Sequence, residues 1–111
     1  MYEKNLNIGY LLDFYGDVLP ERKRNVLDMY YNEDFSLAEI SEEIGISRQG
    51  VRDIIKKTEE ELCFFENKLG LSKKMTTLLE DADALLALAK ESNAPQAVCD
   101  SIAELKKRIE Q

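Results

Sequence analysis

Three long basic side chains recur at a spacing of four residues near the middle of the chain: Arg48, Arg52 and Lys56. In an α-helix this spacing places side chains on one face, one above the other. Arginine can donate two hydrogen bonds to a guanine edge, and lysine suits a phosphate, so the stripe favours contact with nucleic acid. The alternative interpretation is ordinary solvated charge, with Asp53 or acids of the preceding helix as intrachain partners.

Other polar residues extend this stripe into a candidate interface. Gln49 can form two hydrogen bonds with an adenine edge, and Lys57 suits a phosphate. A basic cluster upstream in the chain is predicted to add contacts to the nucleic-acid backbone. The predicted nucleic-acid-binding residues are Ser47, Arg48, Gln49, Arg52, Lys56, Lys57, Arg22, Lys23 and Arg24.

The residues before the stripe have the pattern of a short helix that ends in a tight turn. Ser36 and Glu39 have the spacing of a capping box, in which each side chain accepts a hydrogen bond from the backbone of the other residue. Gly45 stands where helices commonly end in the left-handed conformation. Ser47 is then placed to open the next helix. Together these signals predict two helices joined at Gly45.

Apolar residues on both sides of this turn would seal the angle between the two helices, and Ser41 provides the small residue at their crossing. The sealing residues are Ile40, Ile44, Ile46, Val51 and Ile54. We therefore predict a helix-turn-helix over residues 36–55, whose recognition helix begins at about residue 47.

Helical periodicity continues along the rest of the chain and predicts an all-α fold of about six helices. A first apolar stripe covers residues 8–15, and Leu19-Pro20-Glu21 begins a second helix. The recognition helix is predicted to be about 22 residues long and to end near Gly70. Ser72 is predicted to cap a fifth helix, and residues 92–95 form the turn into a sixth.

Two domains are expected: a helix-turn-helix domain over residues 1–70 and a C-terminal helical hairpin over residues 71–111. Apolar residues from Met75 to Ala89 recur at a spacing near 3.5, which is typical of packed helices. The hairpin can pack on itself, on the fourth helix or on a second copy of the chain. Helix-turn-helix dimers present their recognition helices about 34 Å apart, and a homodimer is one expectation.

The overall charge argues for a local rather than a general attraction to nucleic acid. The net charge is −7 and the pI is about 4.7. Residues 20–58 carry eight acids and seven bases, whereas residues 59–111 carry eleven acids and seven bases. An anionic partner is therefore expected to dock on the first of these segments.

Catalytic and metal sites are not predicted. The chain has no histidine, and Cys63 and Cys99 are far apart, so the ligand set of a zinc site is lacking. Both cysteines are predicted to be small buried residues in a reduced cytosol. The chain has no Gly-rich phosphate loop or nucleophile motif, so we expect neither an enzyme nor a cofactor.

A cytoplasmic location without membrane insertion is also expected. Met1-Tyr2-Glu3-Lys4 does not lead into an apolar stretch, which argues against a signal peptide. The longest apolar run covers residues 84–89, far below the roughly 20 residues that cross a bilayer.

From Leu19 to about Leu62 the chain resembles region 4 of bacterial primary sigma factors. The shared segments include Leu37-Ala38-Glu39-Ile40, Ile44-Gly45-Ile46-Ser47-Arg48 and Val51-Arg52. The resemblance implies that the second motif helix reads promoter DNA through Arg48, Gln49, Arg52 and Lys56. Where that family tends to continue with basic residues, this chain has Glu59-Glu60-Glu61, acids that are expected to repel phosphates.

Over most of residues 1–71 the chain is more similar to the YlxM family of helix-turn-helix proteins. The similarity lies in residues 11–15, in residues 30–40 and in Ser47-Arg48-Gln49. Such proteins are bacterial and are often encoded beside signal recognition particle components, which implies a role in that pathway. We therefore expect a DNA-binding regulator of helix-turn-helix type. The alternative is a non-catalytic adaptor that binds protein or RNA and uses the motif as a scaffold.

Overall fold

The computed structural model describes residues 6–110, with Leu6 described through its backbone only. These residues form six α-helices and a 3-10 turn, which confirms the predicted all-α fold. The helices are α1 (Leu6–Tyr15), α2 (Glu21–Tyr31), α3 (Leu37–Ile44), α4 (Arg48–Leu69), α5 (Leu71–Glu91) and α6 (Gln96–Glu110). The expectation about a signal peptide falls on Met1–Lys4, outside the described residues. The chain divides into two compact units between Leu69 and Gly70.

The first unit is organised around α4, which packs against each of α1, α2 and α3. Val51, Ile55 and Leu62 lie on one face of α4 and are fully buried, as are Val26, Leu27 and Ile40 of the neighbouring helices. Full burial of such a side chain stabilises a fold by roughly 1.5–3 kcal/mol. Because Val51, Ile55 and Leu62 are spaced by four and seven residues, they form one apolar face of α4, and the three shorter helices pack against it.

The start of α2 follows the predicted Leu19-Pro20-Glu21 signal. Pro20 has φ −55° and immediately precedes the first helical residue, and its carbonyl accepts a hydrogen bond from the Arg24 N–H at 3.0 Å. Proline fits this position because it has no N–H to leave unpaired. Leu19 is buried and anchors the connection from the 3-10 turn at residues 16–18.

The second unit is a hairpin in which α5 packs against α6. Its small core consists of Ala89, Cys99 and Ile102, with Leu86 and Ala94 packed against them. Of the three arrangements open from the sequence, the packing of the hairpin on itself is therefore present. The stripe from Met75 to Ala89 is only partly used, because Ala82 and Ala89 are buried whereas Leu78 and Leu85 remain exposed.

Two predictions about single residues were wrong. Ser72 does not cap the fifth helix; it is the second residue of α5 and is 2% exposed. Gly70, at φ 61°, turns the chain directly from α4 into α5, so no connecting segment remains for a serine cap. Cys63 is exposed on α4, whereas Cys99 is buried as predicted.

None of the helices within residues 6–110 combines the length and the apolar character needed to cross a bilayer.

Candidate nucleic-acid interface

The turn between α3 and α4 has the form that the sequence predicts. It comprises three residues, and Gly45 adopts the left-handed conformation with φ 76° and ψ 32°. The Gly45 N–H donates to the Ser41 carbonyl at 3.0 Å, and the Ser41 hydroxyl donates to the Ile46 carbonyl. Ser41 therefore holds both the end of α3 and the residue that follows the turn.

Serine side chains cap both motif helices. The Ser36 hydroxyl accepts from the Glu39 N–H, and the Glu39 carboxylate accepts from the Ser36 N–H, each at 3.0 Å. The hydrogen bond from the Ser36 backbone lowers the pKa of Glu39 below its ordinary value, and the hydrogen bond with the Ser36 side chain lowers it further. At the start of α4 the Ser47 hydroxyl accepts from the Gly50 N–H at 3.0 Å. The Ser47 side chain therefore caps the start of α4.

A close contact within the first turn of α4 also depends on a residue that the sequence analysis did not single out. A Cβ atom at Gly50 would lie 3.2 Å from the Ile46 side chain and 3.3 Å from the Ser47 hydroxyl. The glycine therefore lets Ile46 fold over the start of α4. Its signal in the sequence, a lone glycine in a helical pattern, is easily taken for a weak point in the helix.

The predicted apolar seal is confirmed. Ile40 and Val51 are completely buried, and Ile44, Ile46 and Ile54 are half-buried against the same core. Because these side chains come from both helices and from the turn, they fix how α4 leaves α3. The first turns of α4 are thereby presented on a rigid support.

The predicted basic stripe lies on the solvent side of α4. Arg48, Arg52 and Lys56 are exposed, as is Lys57 beside them. Within the described part of the chain none of these four side chains forms an ion pair, and each therefore keeps its donors for a partner. Asp53, the suggested intrachain partner, instead accepts a hydrogen bond from the Gln49 side chain at 2.9 Å.

The upstream basic cluster is arranged differently. Lys23 forms an ion pair with Glu61 of α4, and both side chains are about 30% exposed. Arg24 contacts Asp17 at 2.9 Å and Asp28 at 3.9 Å. Arg22 is exposed. Two of the three predicted residues are therefore occupied by carboxylates of the same chain, and local spacing could not reveal a partner 38 residues away.

The acidic run on α4 is largely turned inward. The Tyr31 hydroxyl of α2 donates to the Glu59 carboxylate, and Glu61 holds Lys23. Farther along the helix the Tyr15 hydroxyl of α1 donates to Glu66 at 2.6 Å. Of the three consecutive glutamates, Glu60 is exposed, whereas Glu59 and Glu61 are half-buried. Most of the run therefore attaches α4 to its neighbours.

An open groove of about 460 Å³ lies beside the lower end of the basic stripe. It is lined by Ile8, Lys56, Glu59, Glu60, Cys63, Phe64 and Asn67. Phe64 is 57% exposed, and the Lys68 ammonium lies 5.9 Å from its ring centroid. Tyr30 is buried and packs edge-on against Tyr31, so this pair of tyrosines does not present a flat ring surface for stacking on a base.

Comparisons with known proteins agree with this architecture. A family described as "Putative helix-turn-helix protein, YlxM / p13 like" matches residues 2–105. A UPF0122 protein of Halalkalibacterium halodurans is 41% identical over 105 residues, which cover 95% of this chain and 93% of the relative. A UPF0122 protein of a Thermoanaerobacter species is 39% identical over 104 residues, covering 91% and 89%. The chain therefore belongs to the UPF0122 family of YlxM- and p13-like proteins.

Proposed function

We propose that this protein binds double-stranded DNA through the first turns of α4 and acts as a transcriptional regulator. The observation that carries the proposal is the exposed set Arg48, Arg52, Lys56 and Lys57, which has no ion pair among the described residues. Other basic residues of the chain, such as Lys23 and Lys106, are neutralised by carboxylates. Four exposed cations grouped on the solvent side of one helix start provide the local positive charge that an anionic partner requires.

The position along α4 suggests a role for each residue. In helix-turn-helix proteins the N-terminal residues of the recognition helix meet base edges, and residues farther along meet the backbone. Arg48, Gln49 and Arg52 would therefore face bases, while Lys56 and Lys57 would meet phosphates. Arg22 can add a phosphate contact as it stands. Lys23 and Arg24 would first have to exchange a carboxylate for a phosphate.

The acidic net charge does not oppose this role, since the start of α4 has the opposite sign. Residues 47–57 contain four bases and one acid, a local net charge of +3 in a chain of net charge −7. Attraction between exposed charges is screened within roughly 8 Å at physiological salt. The local surplus therefore governs contact, and the distant acids act mainly against non-specific binding.

The test is the binding of fluorescent DNA duplexes, measured by anisotropy over a range of salt concentrations. Preferred duplexes are first selected from a random pool. The logarithm of the affinity should fall with the logarithm of salt with a slope of roughly −0.9 per phosphate neutralised. Arg52→Ala should weaken the preferred duplex by about 1–3 kcal/mol and a random duplex by less. Arg108→Ala, which removes an exposed arginine of α6, is the matched control. Absence of binding at low salt, or equal effects of both variants, would refute the proposal.

A second candidate function is an adaptor that binds protein, and the α5–α6 hairpin supports it. On α5, Asp83 and Leu85 lie on opposite sides of the buried stripe that contains Ala82 and Ala89. On α6, the neighbouring residues Leu105 and Lys106 point in different directions around the helix axis. Because Lys106 contacts Asp83 at 2.6 Å, Leu85 and Leu105 share the other side of the hairpin. The resulting apolar face comprises Leu78, Leu85, Leu88, Val98 and Leu105, all of which are exposed.

Signal recognition particle components are the partner class that the family resemblance suggests for such a face. Their capture by the purified chain should survive the double variant Arg48→Ala/Arg52→Ala and should fail in Leu85→Asp. Loss of capture in the arginine double variant would instead assign the interaction to α4. If the chain bound the RNA of the particle and not its protein, the arginine double variant would also lose capture. In that case DNA duplexes would compete with the RNA for the wild-type chain.

The same apolar face would serve a homodimer, and either function would operate in the cytoplasm. Sedimentation of the wild-type chain and of Leu85→Asp distinguishes a self-associating hairpin from one reserved for another protein. A wild-type chain that remains monomeric at high concentration would exclude the dimer.

A further inference from the structure

We infer that Asp53 is a positioning residue, which holds the Gln49 amide in the orientation that reads an adenine in the major groove. This inference rests on the proposed DNA-binding function and assigns a specificity role to an acid within the basic stripe. The geometry that carries it is the hydrogen bond from Gln49 Nε2 to Asp53 Oδ1 at 2.9 Å.

The chemistry of the amide explains why this contact matters. A glutamine amide has two N–H donors and one carbonyl acceptor, and the hydrogen bond to Asp53 engages one donor. The second N–H and the carbonyl oxygen remain, and these are the groups that pair with N7 and N6 of adenine. Without Asp53 the exposed amide could turn its carbonyl to either side. With Asp53 its orientation is set before DNA arrives.

Asp53 is the only acidic residue in residues 47–58, which makes its presence informative. Arg52 precedes it, and Lys56 and Lys57 follow at three and four positions, yet it forms no ion pair within the described residues. A carboxylate in a surface that approaches phosphates weakens binding to every DNA sequence. Selectivity gained through Gln49 would offset that loss of affinity. If the residue served only to stabilise the helix, a neutral side chain could do so without the loss.

The chain contains the same arrangement at a place without a basic stripe. In the first turn of α6, Gln96 Nε2 donates to Asp100 Oδ1 at 2.8 Å, again at a spacing of four residues. Such pairs strengthen helices slightly wherever they occur. The pair in α6 therefore measures the purely structural effect and provides a matched control for the pair in α4.

The test compares full-length variants on the selected duplex and on duplexes changed at one base pair at a time. Gln49→Ala should abolish the preference for adenine at one position, a loss of roughly 5- to 150-fold in discrimination. Asp53→Ala should reduce discrimination at that same position by roughly two- to tenfold. Asp53→Asn, which keeps an acceptor but removes the charge, should retain the preference and raise affinity for every duplex. Asp100→Ala should alter neither quantity.

The outcomes separate this inference from the proposed function. If the wild-type chain binds no duplex, the proposed function fails and the inference fails with it. If DNA binds but Asp53→Ala changes all duplexes by the same factor, Asp53 acts only through charge and the inference alone is overturned. A third outcome would also overturn the inference: Asp53→Ala abolishes a preference for cytosine, and Gln49→Ala retains that preference. Asp53 would then read the cytosine directly.

Discussion

The hydroxyl of Tyr31 in α2 donates a hydrogen bond to the carboxylate of Glu59 in α4. The two residues are 28 positions apart in the sequence, and their contact engages a glutamate of the acidic run in a partly buried hydrogen bond between two helices. Tyr31→Phe should lower the free energy of unfolding by about 1 kcal/mol, because Glu59 loses a donor in a partly buried site. Urea denaturation of Tyr31→Phe, Glu59→Ala and the double variant would measure the coupling between the two side chains. Additive losses would show that the hydrogen bond contributes nothing to stability.

The inward orientation of this run also predicts unequal effects on DNA affinity. Glu60 is exposed beside Lys56 in the groove, whereas Glu61 is paired with Lys23. Glu60→Gln should therefore raise the affinity for DNA several-fold at low salt, an effect that salt should suppress. Glu61→Gln should lower stability by less than about 1 kcal/mol, since it breaks a partly exposed ion pair. Equal gains in affinity for both variants would contradict this distinction.

The turn at Gly45 can be tested through backbone conformation alone. Apart from the adjoining residues, no atom of the described structure lies within 4 Å of a Cβ at this position, so a substitution meets open space and its cost comes from φ 76°. Gly45→Ala should lower the free energy of unfolding by roughly 1–2 kcal/mol. Gly45→Asn should cost less, because asparagine tolerates the left-handed region. The two variants are compared by thermal and urea unfolding; a larger loss for asparagine would indicate crowding instead of strain.

The capping box of α3 predicts a dependence of stability on pH. Because its hydrogen bonds lower the pKa of Glu39, the ionised group stabilises the fold at neutral pH, and this contribution is lost as the pH falls through the lowered value. Glu39→Gln keeps an acceptor and should flatten the acid loss below about pH 5. Ser36→Ala should cost about 1 kcal/mol at neutral pH. An unchanged acid profile in Glu39→Gln would assign the acid sensitivity to other carboxylates.

Burial distinguishes two leucines that look alike in the sequence. Leu62 is fully buried on α4, whereas Leu85 is 46% exposed on α5. Leu62→Ala should destabilise the first unit by roughly 2–5 kcal/mol, because it removes contacts and leaves a cavity. Leu85→Ala should change the stability of a single chain far less. Urea unfolding at low protein concentration makes this comparison, and a large loss for Leu85→Ala would mean that its side chain is covered.

Local signals in the sequence predicted the helices and the motif because each is produced by neighbouring residues. Ser36 with Glu39, Gly45 and Ser47 act within one turn of helix, and all three signals have the predicted geometry. Ser72 misled for the same local reason: serine before an apolar run is typical of a cap, but Gly70 had already completed the turn.

Contacts between distant parts of the chain could not be predicted from spacing. Lys23, a predicted phosphate contact, is paired with Glu61 and so links two helices in the structure. Tyr31 and Glu59 likewise show no local pattern that would connect them. Cys63 is exposed because the other helices cover a different side of α4. The spacing of apolar residues on α4 does not decide whether position 63 lies on the covered side.

The unequal burial of Cys63 and Cys99 gives the native chain a built-in handle for spectroscopy. A thiol-reactive dye should attach to Cys63 much faster than to Cys99, which is only 9% exposed. Cys63 follows Lys56 by seven residues, so a dye there would sit about 10 Å along the helix axis from the proposed phosphate contact. Its emission could report duplex association in solution without any engineered substitution.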